Sequence, residues 1–190
     1  MSKATKRRYN DPAYHLWFYS GDGLDVGGGD DPLGRWCHAF ARMTSCRTWD
    51  KADGDAAWLD GIGKASLDFV ASSHCLEHLA NPVNALARWL EVLKPGGFAV
   101  VSVPDAEMYE QGHWPSKWNA DHKWRFTLRG ETDHEAKIYN VVDFLRGWKM
   151  ASVERLQLIR DFHSPALAGT DQTLLPNVES AIEFVLRKHG

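Results

Sequence analysis

The chain has 190 residues, which suits one domain with a sizeable buried core. A hydrophobic share of 44% beside a charged share of 25% is that of an ordinary soluble globular protein, and no apolar run nears the roughly 18 residues of a membrane span. The net charge of −3 argues against nucleic acid as the default partner, because phosphate binding leaves a basic footprint.

The one basic run, Lys3, Lys6, Arg7 and Arg8, reads as a solvated, frayed end. The first thirty residues hold no apolar core of a leader peptide. A first strand, 23–26, enters Gly27-Gly28-Gly29-Asp30-Asp31-Pro32. Asp31 and Pro32 fit the cap and first position of a helix, with Leu33, Trp36, Cys37, Phe40 and Ala41 on one face. A second strand spans 46–49 and ends at Asp50, followed by a turn at Asp53-Gly54-Asp55. The apolar run 67–72 is the strongest strand of the middle region. Asn81 and Pro82 then start a helix with Leu86, Leu90 and Leu93 on one face and Trp89 beside them. Lys94-Pro95-Gly96-Gly97 stops it. The run 98–103 reads as a strand buried on both faces.

From 104 to 137 the chain is polar and aromatic without clear period, which predicts a packed loop carrying Trp114, Trp118 and Trp124. A short helix is expected over 139–148, and closing strands over 153–159 and 181–186. In the last strand Ile182, Phe184 and Leu186 alternate with Glu183, Val185 and Arg187, a half-buried pattern. Residues 161–177 form a second loop. Strands alternating with helices give an α/β fold with a mainly parallel sheet. Cys37, Cys46 and Cys75 build neither a disulfide framework nor a C-x-x-C site, so a reducing, cytoplasmic setting is expected.

A strand running through Gly27-x-Gly29 into a helix lets backbone approach a ligand closely and presents free N–H donors. Pro32 occupies the sixth position, so the dinucleotide G-x-G-x-x-G pattern fails, and no Walker pattern is present. Asp50, at a strand end, could accept both hydroxyls of a ribose, and Asp55 could meet an adenine amino group. Both also suit plain turn positions.

Three segments in order carry a resemblance. They are Gly23-Leu-Asp-Val-Gly-Gly-Gly29, Ser66-Leu-Asp-Phe-Val-Ala-Ser-Ser-His-Cys-Leu-Glu-His-Leu79, and Leu93-Lys-Pro-Gly-Gly-Phe98 with the strand to Val103-Pro-Asp105. Together they resemble the class I S-adenosylmethionine-dependent methyltransferases, in particular the type 11 group. That resemblance implies a Rossmann-like, mostly parallel seven-stranded sheet with an antiparallel last strand, formed by residues 1–190 as one domain. It implies S-adenosyl-L-methionine as cofactor, with Asp25, Gly27 and Gly29 at the methionine part and Asp50 at the ribose. Asp55 and Ala56 would meet the adenine, and Ser72, Ser73 and His74 the sulfonium and carboxylate end. Two departures stand out: Asp31 replaces the usual third glycine, and the stretch between the second strand and Asp55 is too short for the usual helix.

His74-x-x-Glu77-His78 also fits the inverted zinc-protease pattern, with Glu135 or Glu154 as a third ligand. A strand ending near His74 argues against that reading, and the pattern explains neither the glycine turn nor Asp50. A chain that binds the cofactor or a partner without methyl transfer is a further alternative, and the intact Gly27, Gly29 and Asp50 weigh against it. Methyl transfer from a sulfonium needs mainly proximity and alignment, with a base helping an oxygen acceptor. His122 is the first candidate base and His113 the second; both could equally be structural. The tryptophans of the 104–137 loop suit the wall of a small-molecule or carbohydrate acceptor pocket, with a sugar hydroxyl expected first.

Overall fold

The apolar runs pair into a six-stranded sheet in the computed structural model, which describes residues 1–190. Its strands are β1 (Gly21–Val26), β2 (Met43–Trp49), β3 (Leu67–Ser73), β4 (Leu93–Pro104), β7 (Ala151–Ile159) and β8 (Ala181–Lys188), in the order β2-β1-β3-β4-β8-β7. A separate parallel ribbon joins β5 (Arg125–Thr127) and β6 (Ile138–Asn140). In the main sheet β1 to β4 are parallel, and β8 runs antiparallel to both β4 and β7. The expected Rossmann-like architecture therefore holds, with its antiparallel last strand, but the sheet has six strands and not seven. The shortfall lies where the sequence is short: residues 51–66 contain only turns, so β2 is the sheet edge.

Side chains on the two faces of the sheet feed two cores. Leu24, Val26, Val70 and Val101 meet Leu86, Trp89 and Leu90 of α2 (Pro82–Val92). Phe69, Ala71, Val100 and Val185 meet Tyr14, Phe18, Tyr19 and Phe40 on the other face. α2 starts as expected, because Asn81 accepts from the Asn84 N–H and Pro82 fills the first turn. The helix expected over 139–148 is shorter: α3 (Val141–Arg146) follows β6, with the Asn140 side chain accepting from the Val142 and Asp143 N–H groups.

Three expectations are corrected. After Pro32 the chain makes a 3-10 turn (Leu33–Ala39), and its cap is Asp25 of β1, which accepts from the Leu33 N–H at 2.7 Å. Asp31 instead accepts from the Trp36 indole. β8 is buried on both faces from Ala181 to Leu186, since Glu183 meets partners inside the protein and does not face water.

The basic run is not a frayed end. It forms α1 (Lys3–Tyr9), in which Arg7 and Arg8 both pair with Glu183. Arg8 is buried and also donates to Ser73 and Ser102. Lys3 caps the carbonyls of Thr173, Leu175 and Val178, holding α1 against the segment before β8.

Side chains from regular elements pin the irregular 51–66 stretch. Trp49 donates to the Gly54 carbonyl and Trp89 to that of Ala56. Arg88 reaches the carbonyls of Trp58, Leu59 and Ile62. Carbonyls of a loop without a strand ladder are thus partly satisfied from outside it.

Candidate active site

The site grows from the carboxyl ends of β1, β2 and β3, where open α/β sheets receive ligands. At the end of β1 the Gly27 N–H donates to the Trp49 carbonyl at 2.8 Å, fixing the glycine turn against β2. Gly27 has φ +77°, and a side chain there would run into Cys75, its Cβ lying 2.7 Å from the Cys75 Cβ. Gly29 has φ +57°, and a Cβ there would meet nothing within 4 Å, projecting into open space. Asp50, just past β2, accepts from the Gly29 N–H at 3.0 Å and from Lys51 at 2.9 Å. Asp25 sits beneath. Burial raises its carboxyl above the ordinary range, against the opposing hydrogen bond from Leu33.

Two cavities meet here. One, of about 430 Å³, is lined by Gly27, Gly29, Asp50, Asp55, Ala56 and His74, with His78 and Asp121 at its far wall. The other, of about 460 Å³, is lined by Asp25, Gly27, Ser73 and His74, and is roofed by Thr5 and Arg8 of α1. They share Gly27 and His74. Each falls in the range of small-molecule sites. Eight of the nine residues expected at the cofactor therefore border the cleft. Ser72 does not: its side chain is fully buried, and its hydroxyl donates to the Val26 carbonyl, tying β3 to β1 under the floor. A two-chambered cleft with a carboxylate beside an open glycine turn fits an adenosine joined to an amino-acid tail.

His74 ends β3 with φ +57°, a left-handed conformation that a non-glycine residue adopts only when its surroundings impose it. Its N–H donates to the Ser102 carbonyl. The chain then makes a 3-10 turn, Leu76–His78, that buries Glu77. His74, Glu77 and His78 thus do not lie on one helix, as the zinc-protease pattern requires. Glu135 is exposed in a turn and Glu154 is exposed on β7; neither joins them. His122 does. Its Nε2 lies 3.9 Å from Glu77 Oε1, and its Nδ1 is 2.7 Å from Glu110 Oε1.

His122 is buried behind His78 and borders neither cavity. The acid that orients it is Glu110, from the π-helical turn Ala106–Glu110, while the adjacent Asp121 meets His78 at 3.1 Å. His113 is exposed and also borders neither cavity. Trp114, Trp118 and Trp124 stand apart from the cleft as well: Trp114 lies under Arg125, Trp118 beside Lys117, and Trp124 against Tyr139. Sequence reasoning missed the roof, Thr5 and Arg8, and the buried acid Glu110; Glu77 stood out only within the zinc-protease pattern. A glutamate in the apolar run of β8 was the available clue to the roof, because such a residue demands cationic partners.

No helix is long and apolar enough to cross a membrane. No curated protein matches the chain. Among solved structures, a SAM-dependent methyltransferase from Archaeoglobus fulgidus is 15% identical, with 98% of this chain and 92% of that one covered at a TM-score of 0.56. An S-adenosylmethionine-dependent methyltransferase from Mesorhizobium loti is likewise 15% identical, with coverage of 97% and 96% and a TM-score of 0.57. The [4+2]-cyclase SpnF is 16% identical, covering 98% and 81% at a TM-score of 0.61. At such identities the likeness is one of fold, and the cyclase shows that this fold hosts other chemistry. The methyltransferase domain family matches residues 7–140, a span that holds the glycine turn, Asp50 and the β3 end. The chain belongs to that methyltransferase domain family and has the Rossmann-like fold of the class I S-adenosylmethionine-dependent enzymes.

Proposed function

We propose that the chain methylates an oxygen of a small-molecule or sugar acceptor, with Asp25, Gly27, Gly29, Asp50, Asp55, Ala56, Ser73 and His74 forming the cofactor cleft. The observation that carries this reading is Asp50 at the end of β2, facing Gly29 across the cavity wall. The bound sulfonium would supply an already activated methyl group, so the work of the chain is placement. Asp50 accepts from the ribose hydroxyls, and Gly27 and Gly29 admit the tail without a side-chain clash. Asp25 and Ser72 hold the turn and β3 from below. Residues 1–190 act as one methyltransferase domain, and the three free cysteines suit a cytoplasmic setting.

For the acceptor proton we propose His74, at the wall of both chambers, with Glu77 beside it and His122, held by Glu110, positioned behind. The exposed His113 has no part in this arrangement. Titration calorimetry with S-adenosylhomocysteine tests the cleft. Micromolar or tighter binding is expected, at least about tenfold weaker in Asp50→Ala. Absence of binding in the folded wild type would overturn the assignment. Methyl-labelled S-adenosylmethionine offered with a panel of hydroxyl acceptors tests the second half, and label in an ether product is the supporting result.

A further inference from the structure

We infer that Glu77, His78 and His122 form a binding site for one divalent transition-metal ion, set in the wall beside the cofactor cleft. Glu77 is fully buried, and neither of its carboxyl oxygens has a hydrogen-bond partner. A buried carboxyl group left so is costly, and proteins seldom keep one without use for it. Three ring nitrogens converge on its Oε1: His74 Nδ1 at 3.7 Å, His78 Nε2 at 3.8 Å and His122 Nε2 at 3.9 Å. These are too long for hydrogen bonds. They suit a gap that an ion fills. The ligand atoms of Glu77, His78 and His122 all lie within 4.8 Å of one another. A tetrahedral ion with bonds of about 2.1 Å needs ligand separations near 3.4 Å, so modest side-chain closure brings the three onto it.

The outer contacts support the same reading. Metal-bound histidines ordinarily give their other ring N–H to a carboxylate, which fixes the tautomer and turns the free nitrogen to the ion. Both histidines have that arrangement. His122 Nδ1 is held by Glu110 Oε1 at 2.7 Å, and His78 Nδ1 by Asp121 Oδ2 at 3.1 Å. Each thereby directs Nε2 at Glu77. The two carboxylates come from separate segments, a π-helical turn and a loop, so the pairing is not a product of local spacing. Two imidazoles and one carboxylate favour zinc, cobalt or iron(II) over magnesium or calcium. His78 lines the cavity of about 430 Å³ while Glu77 and His122 are buried behind it, so an ion here lies beside the cleft. That location rests on the methyltransferase reading; the metal site itself does not.

The test uses tag-free, chelator-stripped full-length protein titrated with Co²⁺, followed by visible absorption. One equivalent is expected to bind with a ligand-field band, and Zn²⁺ should displace it. Binding should weaken at least tenfold in Glu77→Gln and in His122→Ala. Glu110→Gln, which alters only the outer contact, should weaken it by roughly 10- to 100-fold. Should the variants not fold, the wild type still decides: two paramagnetically shifted, exchangeable imidazole N–H proton resonances are expected from the Co²⁺ form. No saturable Co²⁺ uptake by folded protein, uptake undiminished in folded variants, or fewer than two such resonances would overturn the site. Because S-adenosylhomocysteine binding is read separately, loss of cofactor binding with retained Co²⁺ uptake would sink the methyltransferase cleft and leave this site standing.

Discussion

Glu183 and Glu77 are both fully buried glutamates in one small protein, and they are kept in opposite ways. Glu183, in the middle of β8, receives hydrogen bonds from Arg7, Arg8, Tyr14 and Gln157. Glu77, in the turn after β3, receives none. The first carboxyl joins α1 to the sheet and so roofs the cleft. The second leaves its bonding capacity facing three histidines at the cleft wall. A buried acid that the chain satisfies itself is a structural joint; one left unsatisfied marks a place for something the chain does not contain. Asp105 lies between these limits: Oδ1 caps the Met108 N–H, while Oδ2 has no partner.

The contrast breaks if the two glutamates respond alike. The largest effect is expected from Glu183→Ala, which leaves the buried Arg8 without a carboxylate partner and should cost about 3–5 kcal/mol in urea unfolding. The pH dependence follows. Burial alone would raise the Glu183 carboxyl, but the charges of Arg8 and Arg7 and the hydrogen bonds from Arg7 and Tyr14 hold it far below its ordinary range. A depressed carboxyl contributes stability that is present above about pH 4.3 and is lost as pH falls further. Wild type should therefore lose more stability than Glu183→Gln between pH 7 and pH 3, as read by urea midpoints.

Glu77→Gln should do the reverse of Glu183→Ala in metal-free protein. Removing an unsatisfied buried carboxyl is expected to raise stability by about 1–2 kcal/mol in thermal unfolding. A loss comparable to that of Glu183→Ala would place Glu77 among the structural joints. Asp105→Asn sharpens the middle case. Burial, reinforced by neighbouring Glu107 and opposed by the Met108 N–H, pushes the Asp105 carboxyl up to about 6. Its contribution is complete below about pH 3.8 and is lost as pH rises through about 6. Asp105→Asn should gain up to about 3 kcal/mol at pH 8, and the gain should vanish in unfolding measured at pH 4.

Local features were legible in the sequence, while partnerships over long separation were not. The apolar runs of β1, β3 and β4, the Asn81-Pro82 cap and the Gly27 to Gly29 turn each follow from a few adjacent residues. So does Asp50, whose place past β2 is set by where that run ends. Glu183 was read as facing water because its partners, Arg7 and Arg8, lie about 175 residues away. The same blindness turned α1 into a frayed end and hid the roof. His122 was visible as a candidate, but its orienting acid, Glu110, belongs to a stretch with no period to read. The missing strand was foreshadowed by the shortness of the 51–66 stretch, yet the seven-stranded expectation came from the family and overrode that hint.

The 51–66 stretch has a consequence for how this protein tolerates change. Much of its course is fixed by Trp49, Arg88 and Trp89, which grip backbone carbonyls and ignore the side chains attached to them, alongside Leu59 buried in the core. A carbonyl is common to every amino acid, so much of the information that shapes this stretch is stored outside it. Exposed Ala52 and Trp58, which line neither cavity, are free to drift while the stretch keeps its form. The three anchors are not, and a single loss among them would release several loop residues at once.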